Sequence, residues 1–244
     1  MGRQVWFDRG ERALGLSIVM PVLNDAHALT DALRSLEPLR RRGAQIIVVD
    51  GGSGDGSVDA ARPLADVVLP SSRGRAVQMN TGASVARGDV LLFVHADTRL
   101  PVDADLLILE ALARNHQSWG RFDVRLNSCH PLLRLVESLM NVRSRLTGIA
   151  TGDQAMFVRR TTFEKLGGFP PIALMEDVAF AARLKRESKP LCLRARVTVS
   201  SRKWEREGAI RTILLMWRLR LAFFLGADPD ELARRYYRCD RRHS

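Results

Sequence analysis

Gln45-Ile-Ile-Val-Val-Asp50, followed by Gly51-Gly-Ser-Gly-Asp-Gly-Ser57, is the stretch whose reading decides the fold. Four β-branched residues in a row, with no polar interruption, suit a strand covered on both faces. An acid closes the run, and a loop of small residues follows, as where a strand ends and the chain turns into a helix. The spacing Gly52-x-Gly54-x-Gly56 differs from G-x-G-x-x-G, and nothing similar follows the strand before it, so the loop is not read as a dinucleotide fingerprint. Asp50 either bonds the ribose hydroxyls or base of a nucleotide, with Gly52 admitting close backbone approach, or simply ends the strand in a turn.

The same grammar extends in both directions. Upstream, Leu16-Ser-Ile-Val-Met20 is a short buried strand closed by Pro21, and Asn24 or Asp25 caps a helix to about residue 39. Downstream come a helix through Ala61, a strand Asp66-Val-Val-Leu69, a helix over 76–86 and a strand Asp89-Val-Leu-Leu-Phe-Val94. This alternation predicts an α/β domain with a mostly parallel sheet and helices on both faces. Ligands of such sheets gather beyond the carboxyl ends of the strands. The polar residues there are Asn24, Asp50, Arg73, Arg75, His95 and Asp97.

The second half is less regular. Helices are predicted over 103–114, 132–146 and 178–187, a half-buried strand at Arg121-Phe-Asp-Val-Arg-Leu126 and another strand at Ala155-Met-Phe-Val158. Without repeats or a low-complexity linker, residues 1–244 read as a single domain. Residues 14–100 would form its donor half and 101–205 its acceptor and catalytic half, with 206–244 a helical basic tail. The apolar segment 210–225 reads as a core-packed helix, with peripheral contact of Trp217, Phe223 and Phe224 with an anionic membrane as the alternative.

Composition narrows the function classes. At 244 residues and 46% hydrophobic, the chain can bury a sizeable core. Three widely spaced cysteines, Cys129, Cys192 and Cys239, form no CxxC pair, which fits a reducing cytoplasm. The formal charge is +11, and arginine outnumbers lysine 34 to 4. Such an excess suits an anionic partner, but no nucleic-acid motif or interleaved aromatics accompany it, so no nucleic acid is expected. Met1 to Gly15 lacks the apolar core of a signal peptide, and Arg218 and Arg220 interrupt the longest apolar stretch.

Three motifs carry candidate chemistry. His95-Ala-Asp97 directly follows an apolar strand, and in extended backbone both side chains share one side. Asp97 is the oxygen ligand that a hard divalent cation beside a pyrophosphate needs, with His95 a plausible second ligand for manganese. Glu176-Asp177 opens a helix after Gly167-Gly-Phe-Pro-Pro171, where a carboxylate either complements the helix dipole or serves as a base. Gly152-Asp153-Gln154 adds a polar turn.

Met20-Pro-Val-Leu-Asn24, Val49-Asp-Gly-Gly-Ser53, Asn80-x-Gly82, Phe93-Val-His-Ala-Asp97, Gly167-Gly-Phe169 and Glu176-Asp177 occur in the order found in the family-two inverting glycosyltransferases of GT-A type. The chain resembles that family over about residues 16–205. Arg73-Gly-Arg-Ala-Val-Gln-Met-Asn80, Gly152-Asp-Gln-Ala-Met-Phe157 and the basic segment Arg202-Lys-Trp-Glu-Arg206 resemble more narrowly a bacterial branch often labelled arsenosugar-biosynthesis glycosyltransferases. The resemblance implies a GT-A-like fold and transfer of a sugar from a nucleotide-sugar donor, a UDP-sugar by preference, with a divalent metal, manganese or magnesium. It places Pro21, Asn24, Asp50, Gly52, Arg73, Arg75, Asn80, Ala96 and Asp97 on the donor side. It also makes Asp177 the catalytic base with Glu176 its neighbour, Asp97 and His95 the metal side, and Gly152, Asp153, Gln154, Arg202 and Trp204 the acceptor side. His95 stands where many relatives carry an aspartate. The alternatives are a non-catalytic basic nucleic-acid-binding module and a nucleotidyltransferase on a similar sheet. Its Gly- and Arg/Lys-containing loop after the first strand is missing from residues 21–27.

Overall fold

The computed structural model describes residues 14–128, 130–201 and 208–241, with only the backbone of 209, 210 and 237–241. An eight-stranded sheet in the order β3-β2-β1-β4-β7-β6-β8-β5 forms its middle layer. One half of it comprises β1 (Leu16–Val22), β2 (Gln45–Asp50), β3 (Val67–Pro70) and β4 (Val90–Phe93). These four are mutually parallel neighbours, as the apolar runs separated by helices predict. The other half comprises β5 (Thr98–Arg99), β6 (Trp119–Leu126), β7 (Phe157–Arg159) and β8 (Leu191–Val199). Here β7 is antiparallel to both β4 and β6, and β5 is antiparallel to β8, so the sheet is mixed.

Alternation within β1 explains why both faces are covered. Ile18, Met20 and Val22 pack with Leu29 and Leu33 of α1 (Ala26–Arg41), and this core continues to Ile108 of α4 (Ala104–Arg114) and Val136 of α5 (Pro131–Thr147). Val19 turns to the other face, with Met79 of α3 (Arg75–Ser84) and Phe180 of α7 (Glu176–Glu187). The short helices α2 (Ser57–Ala61) and α6 (Arg160–Lys165) complete the connections, and α8 (Ala209–Phe224) and α9 (Pro229–Arg241) follow the sheet. Gly82 sets the approach of α3. A Cβ there would lie 2.4 Å from Val19 Cγ1 and 3.0 Å from Val49 Cγ2.

Four expectations change. Pro21 continues β1 instead of closing it. The Val19 carbonyl accepts from Val94 on the β4 side, and Pro21, two residues on, faces that side beyond the end of β4, where no N–H is needed. The start of α1 is capped from outside: Asp25 makes no side-chain cap, and Asp55 Oδ2 accepts from the Ala26 N–H at 2.9 Å. β6 is not half-buried, because both its faces are covered. Arg121 is wholly inside, with its guanidinium on the Asp123 carboxylate and the Asn141 carbonyl. Finally, α8 is neither fully core nor fully open. Leu219 is buried against Leu174, Met175 and Leu232, while Trp217, Leu221 and Phe224 are exposed. Among the described residues no helix is long and apolar enough to cross a membrane.

Candidate active site

The carboxyl ends of β1 and β4 open into a cleft of about 1180 Å³, bounded on its far side by α5, α8 and the start of α7. Pro21, Arg73, Arg75, His95, Ala96, Asp97, Gly152, Asp153, Glu176 and Asp177 all line it. Residues 75 apart and more in sequence meet there because the sheet order puts β4 between β1 and β7.

The loops after β1 and β2 are stapled together. The Asn24 N–H donates to Ser53 Oγ at 2.8 Å, and Asn24 Oδ1 accepts from the Gly54 N–H at 2.8 Å. Asp50 is buried, and its carboxylate accepts from the N–H groups of Gly52 and Ser53 at 3.0 Å. In this structure Asp50, Asn24 and Gly52 therefore organise the turn behind the cleft. Gln78, which the sequence analysis did not single out, lies nearer. Its buried amide donates to the carbonyls of Val22 and Val49, each at 2.8 Å, holding the ends of β1 and β2 at the cleft wall. Its signal was a polar residue inside the buried stripe Ala76, Met79, Ala83.

Asn80 and Gln154 lie off the cleft. The Asn80 amide clamps Phe169, donating to its carbonyl and accepting from its N–H, so it fixes the turn before Glu176. Gln154 is fully buried in a 3-10 turn at Gly152–Gln154, where its Oε1 accepts from the Thr151 N–H. Arg202 and Trp204 lie outside the described residues.

At the floor the charges interact. Burial pushes the Asp97 carboxyl upward, Asp153 and Asp25 push it the same way, and Arg75 opposes them. β5 and β8 hold its loop: Thr98 pairs with Val199, and the Ser200 N–H donates to the Asp97 carbonyl at 3.2 Å. His95 is driven down to about 3, first by burial and then by Arg75, so its imidazole is neutral. Its Nδ1 lies 3.9 Å from Asp153 Oδ1. Glu176 is raised to about 7, chiefly by burial and then by Asp177. Asp177 Oδ2 accepts from the Gly152 N–H at 2.6 Å, and Oδ1 from the Val178 N–H at 2.7 Å. Arg75, the first residue of α3, acts on His95, Asp97 and Glu176 alike, so of the two loop arginines it is the one whose charge reaches the floor. Among the described residues no group of three or more His, Cys, Asp or Glu side chains is arranged to hold a metal.

Three non-glycine residues in the segments around and behind the cleft have strained backbone. Asn24, Ala155 and Met175 have positive φ, at 51°, 45° and 67°. Left-handed backbone costs a bulky residue about 1 kcal/mol or more. At Met175 it delivers Glu176 and Asp177 to the cleft at the first turn of α7.

Comparison with known proteins places this geometry. The chain is 27% identical over 209 residues to the undecaprenyl-phosphate 4-deoxy-4-formamido-L-arabinose transferase of Pseudomonas paraeruginosa, covering 73% of this chain and 61% of that protein. Less than two thirds of that relative's length thus has a counterpart here. An uncharacterized glycosyltransferase of Haemophilus influenzae is 25% identical over 214 residues, covering 78% of this chain and 83% of that one. Among solved structures, the mannosyltransferase PcManGT from Pyrobaculum calidifontis, in complex with GDP-Man and Mn2+, superposes with a TM-score of 0.62. It is 21% identical and covers 90% of this chain and 65% of that one. S. aureus TarS 1–349 in complex with UDP gives a TM-score of 0.63 at 18% identity, covering 77% of this chain and 60% of that one. These two likenesses establish the GT-A-like fold. Residues 17–166, which carry β1 to β4 and the cleft residues from Pro21 to Asp153, match the family described as glycosyl transferase family 2. The chain belongs to glycosyl transferase family 2.

Proposed function

We propose that the chain transfers a sugar from a nucleotide-sugar donor to an acceptor hydroxyl in one displacement, inverting the anomeric centre. The observation that carries this reading is the meeting of Arg75, His95, Asp97, Glu176 and Asp177 at one cleft floor, beyond the parallel strand ends where such sheets take ligands. Family membership and the nucleotide and nucleotide-sugar complexes of the fold neighbours support it.

The chemistry is charge management. As the acceptor oxygen bonds to the anomeric carbon, the bond to the donor phosphate breaks, and the nucleoside diphosphate leaves with the electron pair. Arg75, with Arg73 at the cleft edge, stabilises that growing charge by charge-assisted hydrogen bonds. Asp177 takes the acceptor proton on the opposite face. The Gly152 N–H aims its Oδ2, and the neutral His95 packs beside that amide without adding a charge. Glu176 carries a proton more readily than an ordinary carboxyl and so adds less like charge next to Asp177.

A divalent cation, manganese or magnesium, fits the residues present. Burial and the neighbouring Asp153 and Asp25 carboxylates hold the Asp97 carboxyl above its ordinary range, a penalty that a cation relieves. Two or fewer protein carboxylates are what such ions use when substrate phosphates and water complete the shell. Asp97 would hold it, with His95 or Asp153 nearest. When bound, it supplies Lewis-acid stabilisation of the leaving diphosphate.

Calorimetric titration of UDP- and GDP-sugars, with and without manganese, tests the reading. A donor that binds more tightly with metal, and loses that gain in Asp97→Ala, is the expected result. Donor affinity and turnover unchanged in Asp97→Ala would remove this residue from the site, and no nucleotide-sugar binding at all would sink the function.

A further inference from the structure

The half of the cleft away from the strand ends has a different character. Leu139, Val142 and Leu146 of α5 face Met216 and Trp217 of α8 across it. Its mouth is apolar as well. Leu135, Leu139, Val142 and Leu146 form an exposed stripe at spacings of three and four along α5, and Leu214, Trp217, Leu221 and Phe224 form another along α8. Leu146 is 81% exposed and Phe224 86%. Leu139, Val142, Leu146 and Trp217 of these stripes also line the cleft, and the two stripes exceed the scattered apolar surface of an ordinary globular domain.

Two cations sit inside this apolar trough. Arg143 and Arg220 both line it. Nε and Nη2 of Arg143 and Nε of Arg220 are buried and have no hydrogen-bond partner among the described residues. Among the described residues no carboxylate forms an ion pair with either side chain, although Asp177 and Asp153 act on Arg143 from the catalytic end. Burial and the neighbouring Arg220 lower the Arg143 guanidinium to about 10, so it remains charged at neutral pH but poorly compensated. Guanidinium nitrogens shielded from water and left without partners are unfavourable unless an anion meets them. The protein tolerates that cost at the junction of the catalytic floor and an apolar channel.

We propose that this trough is the acceptor subsite, and that its occupant is a membrane lipid whose headgroup carries a phosphate and the acceptor hydroxyl: the phosphate between Arg143 and Arg220, the hydroxyl toward Asp177, the chain along α5 and α8. This rests on the transfer reading above and names the acceptor class for the same cleft. The phosphates of the donor do not fit the trough, because the nucleotide half lies at the β1 and β2 ends and a polar nucleotide gains nothing from Leu139, Val142 and Met216. The apolar stripes let the protein rest on the membrane that supplies the lipid, while the exposed Arg218 meets anionic headgroups nearby.

The test is calorimetric titration of the full chain with decyl phosphate, inorganic phosphate and decyl maltoside, each below its micellar concentration, alongside UDP titration of the same samples. Decyl phosphate should bind at least about tenfold more tightly than either of the others, the scale of one or two charge-assisted hydrogen bonds. Arg143→Gln with Arg220→Gln should erase that advantage and leave decyl maltoside unchanged. Should the double variant fail to fold, Arg143→Lys and Arg220→Lys, which keep the charge but not the planar fork, should each retain a reduced preference. Decyl phosphate binding no better than decyl maltoside, a preference that survives the glutamine variants, or displacement of decyl phosphate by UDP would overturn the proposal. Intact UDP binding beside a missing phosphate preference sinks the acceptor assignment alone, whereas absent UDP binding strikes the donor reading instead.

Discussion

The Gly152 N–H donates to Asp177 Oδ2 at 2.6 Å, joining the turn before β7 to the first turn of α7 across 25 residues of sequence. The same glycine lies against His95: a Cβ on it would stand 2.7 Å from both Cε1 and Nε2 of the imidazole and 3.6 Å from Asp177 Oδ2. One small residue thereby spaces the two side chains. Gly152→Ala should push the His95 ring aside and disturb the aim of Asp177. Turnover is expected to fall by about tenfold or more, with UDP affinity changing less, since small misplacement of a reacting group costs rate before binding. Equal loss of turnover and nucleotide affinity would show that the spacing serves the donor instead.

The two carboxylates at the head of α7 are not equivalent. Asp177 is anchored by two backbone N–H groups, while Glu176 is buried and raised to about 7. An anchored carboxylate at the cleft is the better placed base. Asp177→Asn should leave donor binding nearly intact and lower turnover by roughly 100-fold or more, the scale of a lost general base. Glu176→Gln should cost less. Steady-state turnover read beside donor calorimetry checks both, and a reversed order of effects would exchange the roles.

Glu176 also makes stability depend on pH. Its folded value of about 7 exceeds the ordinary 4.5, so the folded state binds the extra proton between those limits. The associated stability is fully present below about pH 4.5 and is lost as pH rises through about 7. The upper limit of that change is on the order of 3 kcal/mol, the opposing effect of Arg75 being already contained in the value of about 7. Thermal melts between pH 4.5 and 8 should show the decline in the wild-type chain and a flatter profile in Glu176→Gln. Parallel profiles would mean that Glu176 ionises as an ordinary carboxyl.

Which parts were legible in the sequence follows from how locally each was encoded. β1 to β4 are apolar runs whose register is set by two-sided burial, and the strand predicted at Gln45–Asp50 has those bounds in the structure. The second half depends on long-range pairing. β8 went unpredicted although Leu191, Leu193, Ala195, Val197 and Val199 alternate with more polar residues, a period-two signal inside an arginine-rich stretch. That strand matters to the site, because β5 and the Asp97 loop hang on its end. β6 reads as half-buried because Arg121 and Asp123 look like surface residues; inside the fold they pair with each other, Arg121 also donates to the Asn141 carbonyl, and Arg145 donates to Asp123. The motif residues His95, Asp97, Glu176 and Asp177 do converge in one cleft, whereas Asn80 and Gln154 hold turns behind it. Arg143 and Arg220 could not be singled out, since their isolation depends on how α5 and α8 pack.

Gln78 offers a test of how the sheet ends hold the nucleotide side. Its amide N–H groups reach the Val22 and Val49 carbonyls, and its side chain lies 3.1–3.3 Å from where a Cβ on Gly51 would be. Gln78→Leu keeps the volume and removes both bonds, so it should cost about 1–3 kcal/mol of stability. It should also weaken UDP binding as the β1 and β2 loops lose their common anchor. Gln78→Glu is the sharper variant. An ionised carboxylate there would face two carbonyl oxygens in a buried place, so its pKa must rise and its destabilisation must grow with pH. Protonated, it can still donate to one carbonyl. Chemical denaturation at pH 5 and pH 8 should therefore find Gln78→Glu close to Gln78→Leu at the lower pH and clearly less stable at the higher. A Gln78→Glu variant equally stable at both, with unchanged UDP affinity, would show that the strand ends are held by the sheet alone.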